Sequence, residues 1–133
     1  MINQIKQLEE TARQLETTIG QRADWMESLL GYTEQYLRTL PQQKAFHANQ
    51  HEAKAITETP VGQKMEMDDI LALYQYNVSE VNINPPSARH FGYIPGGGVF
   101  HSAMADYLAA VTNPYAGMYF ANPGAVRIEN QVI

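Results

Sequence analysis

Residues 91–107 read FGYIPGGGVFHSAMADY, in which three consecutive glycines follow a proline and an apolar stretch with helical spacing comes next. The glycines mark a loop, and the spacing after them predicts a helix over about His101–Val111. Phosphate-binding loops also place glycines before a helix, but they need a following Lys or the spacing G-x-G-x-x-G. Gly96–Gly98 meet neither condition. They either allow a positive φ and the close approach of a ligand or backbone, or form a tight turn before the helix.

Towards the carboxyl end, Asn113–Pro114 is expected to end this helix. Residues 116–124 (AGMYFANPG) are predicted to be extended or turn-like. A last helix is predicted over Ala125–Ile133. No Gly, Asn or Pro follows Ile133 as a stop signal, so we expect this helix to continue beyond it.

Towards the amino end, residues 82–95 are rich in proline and glycine and are predicted to be loops and turns. A helix is predicted over Met67–Val81, with Asp68 and Asp69 in its first turn, where the helix dipole favours negative charge. Its predicted buried side consists of Ile70, Leu71, Leu73, Tyr74 and Val78. Residues 41–64 are a polar connection that is partly helical around Phe46–Ile56.

The first forty residues are predicted to be helical, with a possible interruption at Gly20 and an end at Pro41. Apolar residues in the first part alternate three and four apart, which is the spacing of a coiled-coil seam: Ile5, Leu8, Ala12, Leu15 and Ile19. The second part adds further apolar residues: Trp25, Met26, Leu29, Leu30, Tyr32, Tyr36, Leu37 and Leu40. Because one hairpin cannot cover so much apolar surface, we expect a helix-rich homodimer.

The composition excludes several classes of function. The net charge is −5 and the nine Lys and Arg residues are scattered, which disfavours nucleic acid as a partner. No apolar run is long enough to cross a bilayer and no signal peptide opens the chain, so we expect no membrane partner. The chain has no cysteine, which excludes disulfides and thiolate zinc sites and fits a cytoplasmic location.

Three further candidate sites have both a functional and a structural interpretation. His47 and His51 would share a helix face and a metal ion if that segment were helical, but no third ligand is apparent and we expect no metal site. His90, next to Arg89, is either a proton donor or a structural histidine bonded to a backbone carbonyl, and we favour the latter. Asp106 is expected to pair with a cation or cap a helix, without a catalytic role. No complete catalytic set is present.

From His90 onward the chain resembles the pyridoxal-phosphate-dependent group II decarboxylases, which act on aromatic amino acids, glutamate or histidine. The similarity runs without a gap from Phe91 to Glu129, through FGYIPGGGVFHSAMADYLAAVTN and NPYAGMYFANPGAVRIEN. Asn122-Pro123-Gly124 stands where the family ends a segment in Ser-Pro-Ala. The similarity is looser before residue 91, at Asp24–Trp25, at Tyr36–Leu37 before Pro41, and at Asp69–Leu73. Ser87-Ala88 replaces the family's His-Pro, and the three glycines resemble a bacterial subgroup.

The resemblance implies a mainly α fold, namely the N-terminal helical segment of a type I, aspartate-aminotransferase-like fold without its large α/β cofactor domain. Residues 1–81 would be a dimerisation segment, with the polar connection at 41–64. Residues 82–133 would form a glycine loop and helix beside the substrate. In this interpretation Tyr93, Ile94, Pro95 and Gly96 line the substrate pocket. Tyr115 would reach toward the partner's active site.

The resemblance also implies pyridoxal phosphate as the cofactor of the full-length enzyme, held by residues downstream of Ile133. None of Lys6, Lys44, Lys54 and Lys64 stands in the sequence context of the family's cofactor-binding lysine. We therefore expect this chain to hold no cofactor and to be inactive alone. Its partners would be a second copy, the cofactor domain and an amino acid substrate. Two alternatives are a self-associating helical interaction module without enzymatic activity, and one chain of a split enzyme.

Overall fold

The computed structural model describes residues 1–48, 54–58, 62, 64–93 and 96–133. Within these ranges the chain is mainly helical, as predicted, with six α-helices and two short strands. It divides into two compact units, Met1–Pro95 and Gly96–Ile133, and each is described by itself. The boundary predicted between residues 81 and 82 falls within the first unit.

Two separate helices open the first unit. Helix α1 (Ile2–Arg13) ends before a turn, and helix α2 (Ile19–Thr39) begins at a capping box. In that box the Thr18 hydroxyl accepts from the Gln21 amide at 3.2 Å, and the Gln21 side chain accepts from the Thr18 amide at 2.9 Å. The predicted interruption at Gly20 is therefore wrong, because Gly20 lies inside the first turn of α2. The seam is shorter than predicted, since its last two apolar positions lie outside α1.

The structure confirms the predicted end of α2 and the predicted start of the helix at Met67. Helix α2 gives way to a 3₁₀ turn, Leu40–Gln42, that contains Pro41. Helix α4 (Met67–Tyr74) begins with two aspartates and continues as a π-helical turn, Gln75–Ser79, closed by a bond of 2.9 Å from the Glu80 amide to the Gln75 carbonyl. The predicted helix over 67–81 is thus confirmed nearly to its end, with a wider final turn.

The buried side predicted for that helix is largely wrong. Only Leu71 and Leu73 are half-buried, whereas Ile70, Tyr74 and Val78 are exposed. The buried side chain is Asn77, which donates to the Leu73 carbonyl at 2.8 Å. The apolar face of α4 borders an open groove, so its residues stay in contact with solvent.

A small antiparallel pair of strands joins distant parts of the first unit. Strand β1 (Phe46–His47) pairs with β2 (Asn82–Ile83), and Phe46 stands opposite Ile83. The predicted helix around 46–56 is therefore wrong at its start, because pairing with a segment 36 residues away overrides local preference there. Helix α3 (Lys54–Glu58) covers its last part, and residues 49–53 lie outside the described ranges.

The second unit contains helices α5 (Phe100–Thr112) and α6 (Pro123–Val132). Helix α5 ends at Asn113 in the left-handed conformation, with Pro114 after it, which confirms the predicted stop. Helix α6 begins two residues earlier than predicted. The Asn122 side chain accepts from the Ala125 amide at 3.0 Å, and Pro123 suits the first helical position because it lacks an amide donor.

Apolar burial is slight throughout the described ranges. No apolar side chain there is fully buried, and the three buried side chains are those of Asn77, Asn84 and Ser87. Helices α2 and α4 meet through an edge-to-face contact of Tyr32 and Tyr74, with ring centres 6.1 Å apart. None of the described helices has the length and hydropathy that crossing a membrane requires.

Candidate functional site

The segment that leads into the glycine run is held by hydrogen bonds. The Asn84 amide donates to the Ala45 carbonyl at 2.9 Å, and its side chain donates to the Gln43 side chain at 3.0 Å. The Ser87 hydroxyl donates to the Gln43 carbonyl at 2.8 Å and accepts from the Arg89 amide at 3.2 Å. Residues 84–89 are thereby anchored to the chain that follows α2. Sequence reasoning did not predict that Asn84 and Ser87 are buried, because their partners lie about 40 residues away along the chain.

Beyond this anchor, the chain presents a pair of stacked rings. The ring centres of His90 and Tyr93 lie 5.8 Å apart, and the two ring planes are nearly parallel, with an angle of 15° between them. Tyr93 has a φ of 62°, a left-handed conformation that costs a non-glycine residue about 1 kcal/mol or more. The side chains of Phe91 and Tyr93 are 94% and 77% exposed. Strain combined with exposed aromatic rings is more typical of a contact surface than of a loop that only connects two elements.

Nε2 of the His90 ring is buried and has no hydrogen-bond partner among the described residues, so the structural interpretation's bond to a backbone carbonyl is not made at this nitrogen. The ring stacks on Tyr93, and a Cβ at Gly92 would lie 3.7 Å from it, an ordinary van der Waals distance.

The glycine run itself is open on all sides within its unit. A Cβ added at Gly96, Gly97 or Gly98 would have no atom within 4 Å, and none of the three has a positive φ. The expectation that they allow a positive φ is therefore wrong. The close approach of another backbone is not found within the described part of the chain. Ile94 and Pro95, which were predicted to line a substrate pocket, lie outside the described residues.

Tyr115, the predicted site residue after α5, folds back onto its own chain. A Cβ at Gly117 would lie 2.7 Å from the Tyr115 hydroxyl and 2.8 Å from the ring carbon that bears it. The ring therefore rests on the bare Cα of Gly117, and 60% of the tyrosine remains exposed. Gly96 and Tyr115 lie in the second unit and Tyr93 in the first, so each is placed within its own unit only.

The start of α6 carries a second aromatic contact. The Arg127 guanidinium donates to the Tyr119 hydroxyl at 2.6 Å, and its central carbon lies 5.5 Å from the centre of the Tyr119 ring. This contact fastens the turn before α6 to the first turns of the helix. Asp106, on α5, is exposed and forms no ion pair with the described residues.

A tyrosine cluster in the first unit was not predicted as a site. Tyr32 and Tyr36 lie one turn apart on α2 and face Tyr74 on α4. Burial raises the pKa of Tyr36, and the neighbouring phenols of Tyr74 and Tyr32 raise it further. The spacing of Tyr32 and Tyr36 was visible in the sequence, but the position of Tyr74 depends on helix packing.

The cluster forms one wall of an apolar groove of about 690 Å³. Helices α2 and α4 and the Pro85–Pro86 turn line this groove, with Leu29, Ile70 and Val78 among the apolar side chains. Such a groove can accept an apolar side chain or ring, and the described residues that line it include no Lys, Arg or His.

The described ranges hold no group of three His, Asp or Glu side chains that could bind a metal ion. His47 lies on a strand, so the helical pairing considered for it does not apply, and His51 is outside the described residues. We searched family models, curated proteins and solved structures, and none of them matches the chain.

Proposed function

We propose that this chain is the N-terminal portion of a pyridoxal-phosphate-dependent amino acid decarboxylase. It would supply dimer contacts and part of the substrate entrance, and it would not be catalytic alone. The proposal rests on the resemblance to that family, which runs without a gap from Phe91 to Glu129. The aromatic ring of Tyr93, exposed and held in a strained conformation, suits a wall that meets a ligand or another chain.

The exposure of apolar surface supports a role inside a larger assembly. Along α5, large apolar side chains recur on one side and all are exposed: Phe100, Met104, Tyr107, Leu108 and Val111. A helix of this composition is usually buried. A second chain or a further domain would cover this face, and the proposal supplies both.

The apolar groove and a smaller polar pocket near His47 and Glu80 do not fit the cofactor. Among the described residues that line them there is no lysine that could bond to the aldehyde and no arginine for the phosphate. In the proposal, the cofactor is held by residues outside this chain. The part assigned to Tyr93, Gly96 and Tyr115 is to position the substrate and to exclude water from it.

The first test is to read the DNA that follows codon 133. A reading frame that continues into a Ser/Gly-rich phosphate segment and a His-x-x-Lys supports the proposal. A stop codon, with no downstream frame encoding the remainder, counts against it. A second test adds pyridoxal phosphate to the purified chain and records its absorbance. We expect no band from a lysine-bound cofactor, and a band that disappears when one specific lysine is replaced would refute the proposed inactivity.

Co-expression tests the substrate wall and separates a split enzyme from an inactive fragment. If a second chain carrying the cofactor domain restores decarboxylation, then Tyr93→Ala and Tyr115→Ala should raise KM. Tyr119→Ala is the matched control, because that ring contacts only Arg127 among the described aromatic and ionic contacts. Equal effects of all three substitutions would contradict the assignment of the first two to the substrate wall.

A self-associating helical module without enzymatic activity is the second candidate, because every side chain of α1 is exposed, including Ile5 and Leu8. Sedimentation velocity of the chain and of Leu8→Glu tests it, with Glu10→Gln as the control on the same helix. A dimer that Leu8→Glu dissociates, in a protein without a continuing reading frame, would favour this second function over the first.

A further inference from the structure

Two buried polar side chains hold the segment that precedes the stacked rings of His90 and Tyr93. Asn84 and Ser87 are 6% and 4% exposed, and the third buried side chain among the described residues is Asn77, in the π-helical turn. No apolar side chain of the described residues is buried. The conformation of this segment therefore depends on polar contacts, and buried polar groups whose hydrogen bonds are satisfied specify one conformation.

Both side chains bond to the chain just after the 3₁₀ turn, which is 40 to 44 residues earlier in the sequence. The Asn84 side chain donates to the Gln43 side-chain oxygen at 3.0 Å and to the Lys44 carbonyl at 3.3 Å. The Ser87 hydroxyl donates to the Gln43 carbonyl at 2.8 Å. These contacts fix the segment against a distant part of the same unit.

From Ser87 the hydrogen bonds continue along the chain to His90. The Ser87 hydroxyl accepts from the Arg89 amide at 3.2 Å, and the Ser87 carbonyl accepts from the His90 amide at 3.0 Å. The Ser87 amide in turn donates to the Asn84 carbonyl at 3.1 Å. Two successive turns, each closed by a hydrogen bond, thus connect Asn84 to His90.

The last step runs through the ring of His90, on which the Tyr93 ring stacks. Tyr93 has a φ of 62°, and a non-glycine residue keeps such a conformation only where its surroundings determine it. The stack supplies a contact of that kind, and it requires His90 to be held in place. The hydrogen bonds of Ser87 hold it there.

We propose that Asn84 and Ser87 are positioning residues for this ring pair. They fix the backbone as far as His90, and His90 holds Tyr93 in its left-handed conformation. The inference rests on the proposed function only where Tyr93 is assigned to the substrate entrance; there it adds two side chains that act on the substrate through Tyr93. It is not carried over from the resemblance, because Ser87 stands where the family has a histidine.

NMR spectroscopy of the full chain and of the variants Ser87→Ala and Asn84→Ala tests the proposal. A residue with a positive φ gives a strong cross-relaxation peak between its own amide and α protons, and a stacked ring shifts the signals of its neighbour. We expect both signatures in the unaltered chain, the first at Tyr93 and the second at the His90 ring. In each variant the Tyr93 peak should weaken to the level of residues with a negative φ, and the His90 signals should move to those of an unstacked histidine.

Asn77→Ala is the matched control, because Asn77 is as buried as Asn84 and donates to the Leu73 carbonyl, away from the ring pair in the sequence. This variant should lower the urea midpoint and leave both signatures unchanged. Loss of the signatures in all three variants would mean a general loosening of the unit. Their retention in Ser87→Ala and Asn84→Ala would mean that the ring pair needs neither side chain. Either result overturns the proposal.

If neither variant folds, the unaltered chain at urea concentrations below its midpoint decides the question. Hydrogen exchange of the Arg89 amide reports on its bond to Ser87. We expect the stack of His90 and Tyr93 to be lost together with the protection of this amide. A stack that is lost while the amide stays protected, or that persists after the protection is gone, contradicts the proposal.

Kinetics of the chain co-expressed with the cofactor domain separate this inference from the proposed function. Ser87→Ala should raise KM as Tyr93→Ala does and change kcat less, because neither side chain takes part in the chemical step. A lost stack with an unchanged KM would support the positioning role and count against the substrate entrance. An intact stack with a raised KM would overturn the positioning role.

Discussion

Replacement of Gly97 by alanine tests whether the glycine run serves the fold of this chain. No atom lies within 4 Å of the position that the new Cβ would occupy, and the backbone there does not have a positive φ. The substitution therefore adds no steric clash and no backbone strain. It does restrict the unfolded chain, which stabilises a protein by roughly 0.4–1 kcal/mol at a compatible position.

Gly117→Ala in the same unit is the matched contrast. Its Cβ would lie 2.7 Å from the Tyr115 hydroxyl, closer than non-bonded atoms allow. The Tyr115 ring is exposed and can rotate away, so we expect a loss of its contact with Gly117 and a stability change of less than about 1 kcal/mol. The ring signals of Tyr115 should shift in this variant and stay unchanged in Gly97→Ala.

Urea denaturation followed by circular dichroism at the helix band measures both variants. We expect Gly97→Ala to unfold at the same urea concentration as the unaltered chain or at a slightly higher one. If the free energy of unfolding of Gly97→Ala is lower by more than about 1 kcal/mol, our reasoning is wrong. The glycine run would then pack against other atoms or need a backbone conformation that alanine cannot adopt. If stability is kept while an assembled enzyme loses activity, the glycines serve a ligand or partner.

Three further predictions concern the first unit. Thr18→Ala removes the capping box of α2 and should cost about 1 kcal/mol, seen as a lower urea midpoint; Thr11→Ala, on exposed α1, should cost less. Asn84→Ala deletes two side-chain bonds from a buried residue to the Gln43 side chain and the Lys44 carbonyl, and should cost about 1–2 kcal/mol by the same assay. Burial raises the pKa of Tyr36 above its usual 10.0, so the folded state favours the neutral phenol. The free energy of unfolding should therefore fall as the pH rises above 10.0, and Tyr36→Phe should reduce this decline.

The sequence was informative wherever structure depends on neighbouring residues. Pro41 and Asn113–Pro114 identified the ends of α2 and α5, because proline and a left-handed asparagine stop a helix locally. Asp68 and Asp69 identified the start of α4 for a similar reason. The capping box at Thr18 was also readable, and giving it more weight than Gly20 would have placed the break between α1 and α2 correctly.

The candidate site could be predicted from the sequence only in part. The glycine run and its aromatic neighbours stand out by composition. Residue types do not specify the backbone angles on which the remaining features depend. These features are the strain of Tyr93, its stacking on His90, and the contact of Tyr115 with Gly117. The polar pocket was not predictable, because Glu80 and His47 are 33 residues apart and only packing brings them to one cavity.

By itself the sequence determined that the chain is mainly helical and where several helices stop. These properties follow from local backbone preference and from composition. Only the tertiary structure decided that Phe46 pairs with Ile83, that the buried side chains of the described residues are polar, and that tyrosines from α2 and α4 line one apolar groove. Each of these depends on contacts between segments far apart along the chain, whose free energy exceeds the weak local preferences of the residues involved.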